Sequence, residues 1–250
     1  MNSSLYTYVG HRHLPFMNPF GEATMSRVID LLAMSASQLV VDFGAGWCEL
    51  PLRLIEKYAV HADCVELSPL IAGEARARAA KRVDPERIRI HEGDAGTFKA
   101  TIPPAAFDLA VCIGSSHALG GPELAITALA RLTRPGGRVL VGEAFWKAAP
   151  NDEYLKATGL GVSEFGVFTT PVALGVQAGL LPELCIAATE REFDEYEWAH
   201  QRAIEAYADE HPSDDQALGL LSRGRVWREN YLKYGRDILG FALYLLRKPA

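Results

Sequence analysis

Between about residue 38 and residue 145 the hydrophobic positions change period repeatedly, from short unbroken apolar runs to stripes spaced three and four apart. Unbroken runs bounded by turn residues read as strands buried on both faces. On that basis 38–41 (ending at Asp42), 62–66, 87–91, 107–113 and 138–141 predict five strands. The stretches between them have helical spacing. Residues 48–58 put Leu50, Leu54 and Tyr58 on one face, with Pro51 confined to the first turn, where its missing N–H costs no helical hydrogen bond. Residues 70–82 form an Ala/Arg-rich helix stopped by Asp84-Pro85, and 123–132 form a third helix. Pro135-Gly136-Gly137 predicts the turn into the fifth strand. Strands alternating with helices imply an α/β fold with a parallel sheet.

Beyond the fifth strand the pattern changes. Residues 147–170 are rich in Pro, Gly and Thr and have no clear period; 171–180 predicts a short helix, 184–188 a strand and 241–246 the last strand. Between these last two strands lies a long helical insertion, about 190–237. Its first half, 190–215, holds ten acids and two arginines, with Tyr196, Ala199, Ala203 and Tyr207 as its apolar stripe. The second half is basic, with Arg223, Arg225, Arg228, Lys233 and Arg236, and carries Leu220, Trp227, Tyr231 and Tyr234 on one face. His211-Pro212-Ser213 breaks the run, so two antiparallel helices are expected, one acidic and one basic, with most charges on solvated faces and most stripe aromatics in the core.

Composition narrows the class. The 250 residues are 49% hydrophobic and 22% charged, which excludes global disorder. No run of about 18 apolar residues predicts a membrane span, and Met1-Asn2-Ser3-Ser4 does not open a secretory leader. The four cysteines, Cys48, Cys64, Cys112 and Cys185, form no Cys-x-x-Cys pair, so reduced thiols and a cytoplasmic location are expected rather than a disulfide frame or a zinc site. A net charge of −6 argues against a polyanionic partner such as nucleic acid.

The segment with the most chemical information is Val41-Asp42-Phe43-Gly44-Ala45-Gly46-Trp47-Cys48, a strand running through a glycine-rich turn into a helix. Such a turn lets the backbone approach a ligand, and the helix aims its N-terminal amides there. Glu66 follows Gly46 by 20 residues, at the end of the second strand, where an acid can accept both hydroxyls of a ribose. Glu49 stands where a dinucleotide fingerprint needs Gly or Ala, and its carboxylate is expected to repel a pyrophosphate. Asp42, just before the glycines, favours a cationic ligand instead. His91-Glu92-Gly93-Asp94-Ala95 follows the third strand, and Asp94 is placed to accept an adenine amine. A nucleoside with a sulfonium and an amino group but no phosphate, S-adenosylmethionine (SAM), meets these demands.

With these motifs the sequence resembles the class I SAM-dependent methyltransferases. The matching stretches are Val41-Asp42-Phe43-Gly44-Ala45-Gly46, Val65-Glu66-Leu67-Ser68, Gly93-Asp94-Ala95 and Leu132-Thr133-Arg134-Pro135-Gly136-Gly137-Arg138. Cys48 departs from the family, which usually has a third glycine there, and a slight shift of the helix is expected. Met17-Asn18-Pro19-Phe20, Gly142-Glu143-Ala144-Phe145-Trp146 and the late helical insertion resemble a narrower group of small bacterial methyltransferases with a Gly-Glu-x-(Phe/Tyr)-Trp motif. The resemblance implies a Rossmann-like, mostly parallel seven-stranded sheet with helices on both faces and a helical lid inserted before the last strand. It also implies one methyltransferase domain over 1–250: an N-terminal segment and helix to 36, a SAM-binding core over 37–146 and a substrate-side half over 147–250.

The resemblance further implies a SAM site of Asp42, Gly44, Ala45, Gly46, Glu66, Leu67, Asp94, Ala95 and Ile113, with transfer of a methyl group to O, N, S or C of a small molecule and S-adenosylhomocysteine (SAH) as product. Gly114-Ser115-Ser116-His117-Ala118-Leu119-Gly120 follows strand four and is expected to face the methyl group. His117 is the first candidate base, since imidazole readily trades a proton near neutral pH, and Glu143 is the second. Each has a bland alternative, a loop hydrogen bond or cap. Trp146, His11 and His13 are candidates for the substrate side or lid; His11-x-His13 lacks a third metal ligand, so no metal is expected. The place after strand four reads Ile113-Gly114-Ser115-Ser116 instead of the (Asp/Asn)-Pro-Pro-aromatic run of DNA adenine methyltransferases, and Asp108 is at the wrong end of its strand to hold magnesium as in catechol enzymes. Non-methylating SAM chemistry and a non-catalytic SAM-binding module remain the alternatives.

Overall fold

The computed structural model describes residues 3–250, so Met1 and Asn2, part of the stretch expected not to be a secretory leader, lie outside the described residues. Contacts divide the chain into two compact units: a sheet unit of 22–143, 169–187 and 242–250, and a helical unit of the N-terminal stretch to Gly21, 144–168 and 188–241.

The strands are β1 (Leu39–Phe43), β2 (His61–Glu66), β3 (Ile88–Glu92), β4 (Phe107–Ile113), β5 (Thr133–Trp146), β6 (Leu181–Ala187) and β7 (Leu239–Arg247). The central strands β1, β4 and β7 form for the expected reason, apolar runs covered on both sides, whereas the edge strands β3 and β6 are largely half-buried or exposed. One seven-stranded sheet results, in the order β3-β2-β1-β4-β5-β7-β6. Pairing is parallel from β3 through β5 and antiparallel between β6 and β7. Val41, Phe43, Ala110, Cys112, Val139 and Val141 bury their side chains with Ile126 and Leu129 of a covering helix.

The helices of the sheet unit are α2 (Glu22–Leu32), α3 (Glu49–Tyr58), α4 (Pro69–Arg82), α5 (Ala95–Ala100), α6 (Pro122–Leu132) and α8 (Thr170–Gln177). The sequence pattern missed α5, a helix of six residues capped by Asp94, whose Oδ1 accepts from Thr97 N at 2.7 Å. It also shortened β5. The Pro135-Gly136-Gly137 turn lies inside that strand as a bulge, where the register jumps from Phe107 opposite Thr133 to Leu109 opposite Arg138. Asp108, at the far end of β4 from the glycine loop, accepts from Gln38 Nε2 and Leu39 N at 2.8 Å and pairs with Arg134, so it clamps strand starts.

Gly73 lies exposed in α4, and a Cβ built on it meets nothing within 4 Å. Gly73→Ala removes backbone freedom only from the unfolded chain, so it should stabilise the protein by about 0.5–1 kcal/mol, seen as a higher urea midpoint at unchanged slope. A lower midpoint would contradict this packing.

The helical unit holds α1 (Ser3–His11), α7 (Asp152–Thr158), α9 (Glu190–Glu210), α10 (Asp215–Asn230) and α11 (Arg236–Ile238), the last two joined by a wide helical turn, Tyr231–Gly235. The aperiodic stretch thus contains α7, capped by Asn151 and closed by Gly159 at φ 73°. Thr189 and Glu192 form a capping box at the start of α9. As expected, α9 and α10 are antiparallel: Arg225 meets Glu205 at 2.8 Å, Trp227 meets Glu197 at 2.7 Å and Tyr231 meets Asp194 at 2.7 Å, the numbers rising on one helix as they fall on the other. The opposite charges are therefore partly paired with one another. Partly exposed pairs of this kind contribute about 0–1 kcal/mol each and set the register more than the stability.

Candidate active site

The carboxyl ends of β1, β2, β3, β4 and β5 carry the predicted site residues that belong to the sheet unit. Parallel α/β sheets bind ligands at this edge because every following loop and helix N-terminus converges there. After β1 the chain turns through Gly44 (φ 72°) and Gly46 (φ 55°). The amides of Gly44 and Ala45 both donate to Val65 O, at 2.9 and 3.1 Å, which ties the loop to the end of β2. Gly44 is packed so closely that an added Cβ would lie 2.3 Å from Cβ of Ser115, in the loop after β4.

The next turn bears on two expectations. Cys48 does not deprive the chain of the left-handed turn that a third glycine would give: it adopts that conformation itself, at φ 59° with its thiol buried, just ahead of α3. A non-glycine residue there costs about 1–2 kcal/mol, supported by the packing around it. Nor does Glu49 present an unanswered charge: Oε1 accepts from Arg53 Nε at 2.7 Å and Oε2 from Arg82 Nη1 at 2.6 Å. The case against a pyrophosphate therefore rests on the missing glycine and not on repulsion.

Glu66 is held by the loop it was expected to serve. Its Oε2 accepts from Gly46 N at 3.0 Å and its Oε1 from Ser68 N at 2.9 Å. A carboxylate oxygen has a second acceptor direction, so both remain able to take a hydroxyl proton. The neighbouring Leu67 is 68% exposed, an apolar surface beside that acid. Asp94 has its hydrogen bonds from Thr97 N and Oγ1 both on Oδ1, and these hold its carboxyl below the usual range. Ala95 is buried and Ile113 half-buried. Asp42 is buried, and desolvation first, then the charge of Glu66, pushes its carboxyl up to about 7. A positively charged ligand group near Asp42 would answer both causes. The carboxylates of Asp42, Glu66 and Asp94 and the apolar surface of Leu67 are chemically compatible with an adenosine that carries a cationic tail.

Two strands from Asp42, Glu143 sits near the end of β5, 7% exposed. Its Oε2 accepts from Ser116 Oγ at 3.0 Å, while its buried Oε1 has no partner among the described residues. Burial pushes this carboxyl up to about 7, with the Ser116 hydrogen bond opposing. Nothing in the sequence pattern singles out Ser116 beyond its place in the serine pair after β4. His117, next to it on a short 3₁₀ turn, is exposed.

The remaining candidates lie in the helical unit. Trp146 is buried, its Nε1 donating to Val162 O at 2.9 Å and its ring against Tyr154 and Phe165. His11 ends α1, buried, with Nδ1 2.7 Å from Thr7 O and Nε2 2.8 Å from Tyr196 Oη. His13, beyond the helix end, is exposed, whereas His11 is buried. Among the described residues no three His, Cys, Asp or Glu side chains converge as a metal site, and no helix is long and apolar enough to cross a membrane.

Residues 40–137, which include the glycine loop, Glu66 and Asp94, match the methyltransferase domain family. The fold is the Rossmann-like fold of SAM-dependent methyltransferases: such an enzyme from Geobacter sulfurreducens, solved with SAH, superimposes with a TM-score of 0.87 over 98% of both chains at 22% identity. Among curated sequences the chain is 26% identical over 232 residues, 92% of each, to the uncharacterized Escherichia coli protein YjhP. It is 25% identical over 230 residues, 89% of this chain and 82% of the other, to the 27-O-demethylrifamycin SV methyltransferase of Amycolatopsis mediterranei.

Proposed function

We propose that this protein binds SAM at the β1–β2–β3 edge and transfers its methyl group to a small molecule, without a metal, with Glu143 as the group that receives the acceptor's proton. The observation that carries the reading is the lock between the glycine loop and Glu66, through Gly46 N and Ser68 N, which supports Glu66 as the ribose acceptor. SAM supplies an electrophilic methyl on a sulfonium. The protein's share is to align the acceptor, exclude water and hold a proton. Glu143 suits the last task because its Oε1 is free and burial holds its carboxyl near neutrality. A net charge of −6 supports a small acceptor over nucleic acid.

The first test is binding. SAH should raise the melting temperature of the native chain, since a ligand at 100 times its Kd adds about 2.7 kcal/mol, and Glu66→Ala should abolish the shift. A shift that survives in Glu66→Ala removes the ribose role. SAH formation with a panel of hydroxyl, amine and thiol acceptors then tests transfer; SAM binding without SAH release would favour non-methylating chemistry or a binding module.

The pH dependence has a definite sign. Asp42 and Glu143 both sit above their ordinary values in the folded chain, so their contribution to stability is full at low pH and is lost as pH rises through about 7. Binding a cationic ligand near Asp42 reverses its shift. SAH affinity should therefore weaken as pH falls below about 7, with a proton released on binding. Calorimetry at pH 7 in phosphate and in Tris should give different binding enthalpies, and equal ones would show that Asp42 does not titrate with the ligand.

A further inference from the structure

The helical unit contains a cavity of about 400 Å³ bounded by α1, α7, α9 and α10, within the size range of small-molecule sites. None of its lining belongs to the proposed SAM site, although His11 and the residues from Tyr196 to Asn230 lie in segments expected as a lid. Tyr6, Tyr196 and Trp227 give it aromatic walls, and Glu197, His200 and Arg223 give it polar groups.

The charges are unbalanced in an informative way. Glu197 accepts from Trp227 Nε1 at 2.7 Å through Oε2, and among the described residues it forms no ion pair with a lysine or arginine. Its carboxyl is pushed up to about 7 by burial, against the Trp227 hydrogen bond. The imidazoles do not answer it. Burial drives His200 down to about 3, with the charges of His11 and Arg223 adding to this, and burial also lowers His11, so both rings are neutral at physiological pH. Arg223 is exposed and lies over the Tyr6 ring at 4.0 Å, which shows that a π-face of this lining accepts a cation. A half-buried acid without an ion-pair partner, beside aromatic side chains, is the arrangement that recognises an organic ammonium: the carboxylate supplies the charge and the rings replace the water that a quaternary or substituted nitrogen sheds.

We propose that this cavity is a binding site for a small organic cation, an amine or methylated ammonium, held between Glu197 and the rings of Tyr6, Tyr196 and Trp227. The site shares no residue with the proposed SAM site, and its occupant is tested whether or not methyl transfer occurs.

The native chain is titrated with choline chloride and tetramethylammonium chloride, and in parallel with 3,3-dimethyl-1-butanol, the neutral carbon isostere of choline, at ionic strength matched with sodium chloride. Binding is read by calorimetry and by tryptophan fluorescence. Choline should bind saturably, with a fluorescence change that disappears in Trp227→Phe, and the isostere should bind roughly tenfold more weakly or not at all. Glu197→Gln should weaken choline by roughly tenfold while the melting shift given by SAH is unchanged. Equal binding of choline and its isostere, no saturable binding of either cation, or full choline affinity in a folded Glu197→Gln variant would each overturn the proposal. The comparison of choline with its isostere needs no variant, so it decides the matter even if Glu197→Gln does not fold. Loss of the SAH shift with choline binding intact would instead count against the SAM site alone.

Discussion

Glu143→Gln is expected to lower turnover by roughly 10²–10⁴-fold, the usual worth of a positioned general base, while SAH affinity stays close to that of the native protein. Glutamine has the shape of glutamate, and Ser116 Oγ can still bond it, so the change removes proton acceptance with little else. Stability should hold or rise above pH 7, because a buried carboxylate without a cation beside it is lost. With SAM saturating, kcat/KM for the acceptor should climb with pH through about 7 in the native chain, where Glu143 loses its proton, and the climb should vanish in the glutamine variant. Ser116→Ala gives an independent check. The serine hydrogen bond holds the Glu143 carboxyl down, so its removal should move the rising limb to higher pH without changing its form. A normal rate in Glu143→Gln together with a lost rate in His117→Ala would transfer the role to the exposed imidazole.

What the sequence disclosed follows from the range over which each signal acts. The parallel strands were legible because burial on both faces leaves an apolar run that needs no partner to be recognised, and β4 was read with both ends correct. Glu66 was legible because one strand–helix–strand unit fixes its distance from Gly46 along the chain. The missed features depend on residues far apart in sequence. Ser116 gains its meaning only from Glu143, 27 residues later, and the charge of Glu49 is answered by Arg82, 33 residues later. Cys48 reads as an ordinary small residue, yet tertiary packing forces it into a left-handed conformation. His11 and His13 look like a pair in a string of letters, but α1 ends at His11, which is buried, while His13 beyond it is exposed. The cavity around Glu197 brings together four helices, so no local pattern announces it.

Gly44→Ala is expected to destabilise the protein by about 2–5 kcal/mol and to abolish SAH binding. Two costs add. The alanine must hold φ 72°, worth about 1–2 kcal/mol for a residue with a Cβ. That Cβ also falls 2.3 Å from both Cβ and Oγ of Ser115. A Cβ cannot rotate away as a side-chain tip can, so one of the two loops must move, at about 1–3 kcal/mol. For a chain of this size each kcal/mol lowers the melting temperature by about 2–4 °C. The displacement has a functional path as well. Ser115 precedes Ser116, which holds Glu143, and Gly44 N anchors the loop to Val65 O beside Glu66. The same substitution should therefore disturb the ribose acceptor and the candidate base together. Adding Ser115→Gly to Gly44→Ala deletes the clashing atoms but leaves the strained φ. The double variant should recover the steric part of the loss and not the remainder, a coupling of about 1–3 kcal/mol between two residues that touch. Strictly additive losses, or a Gly44→Ala variant that melts with the native chain, would show that the two loops are not packed as described.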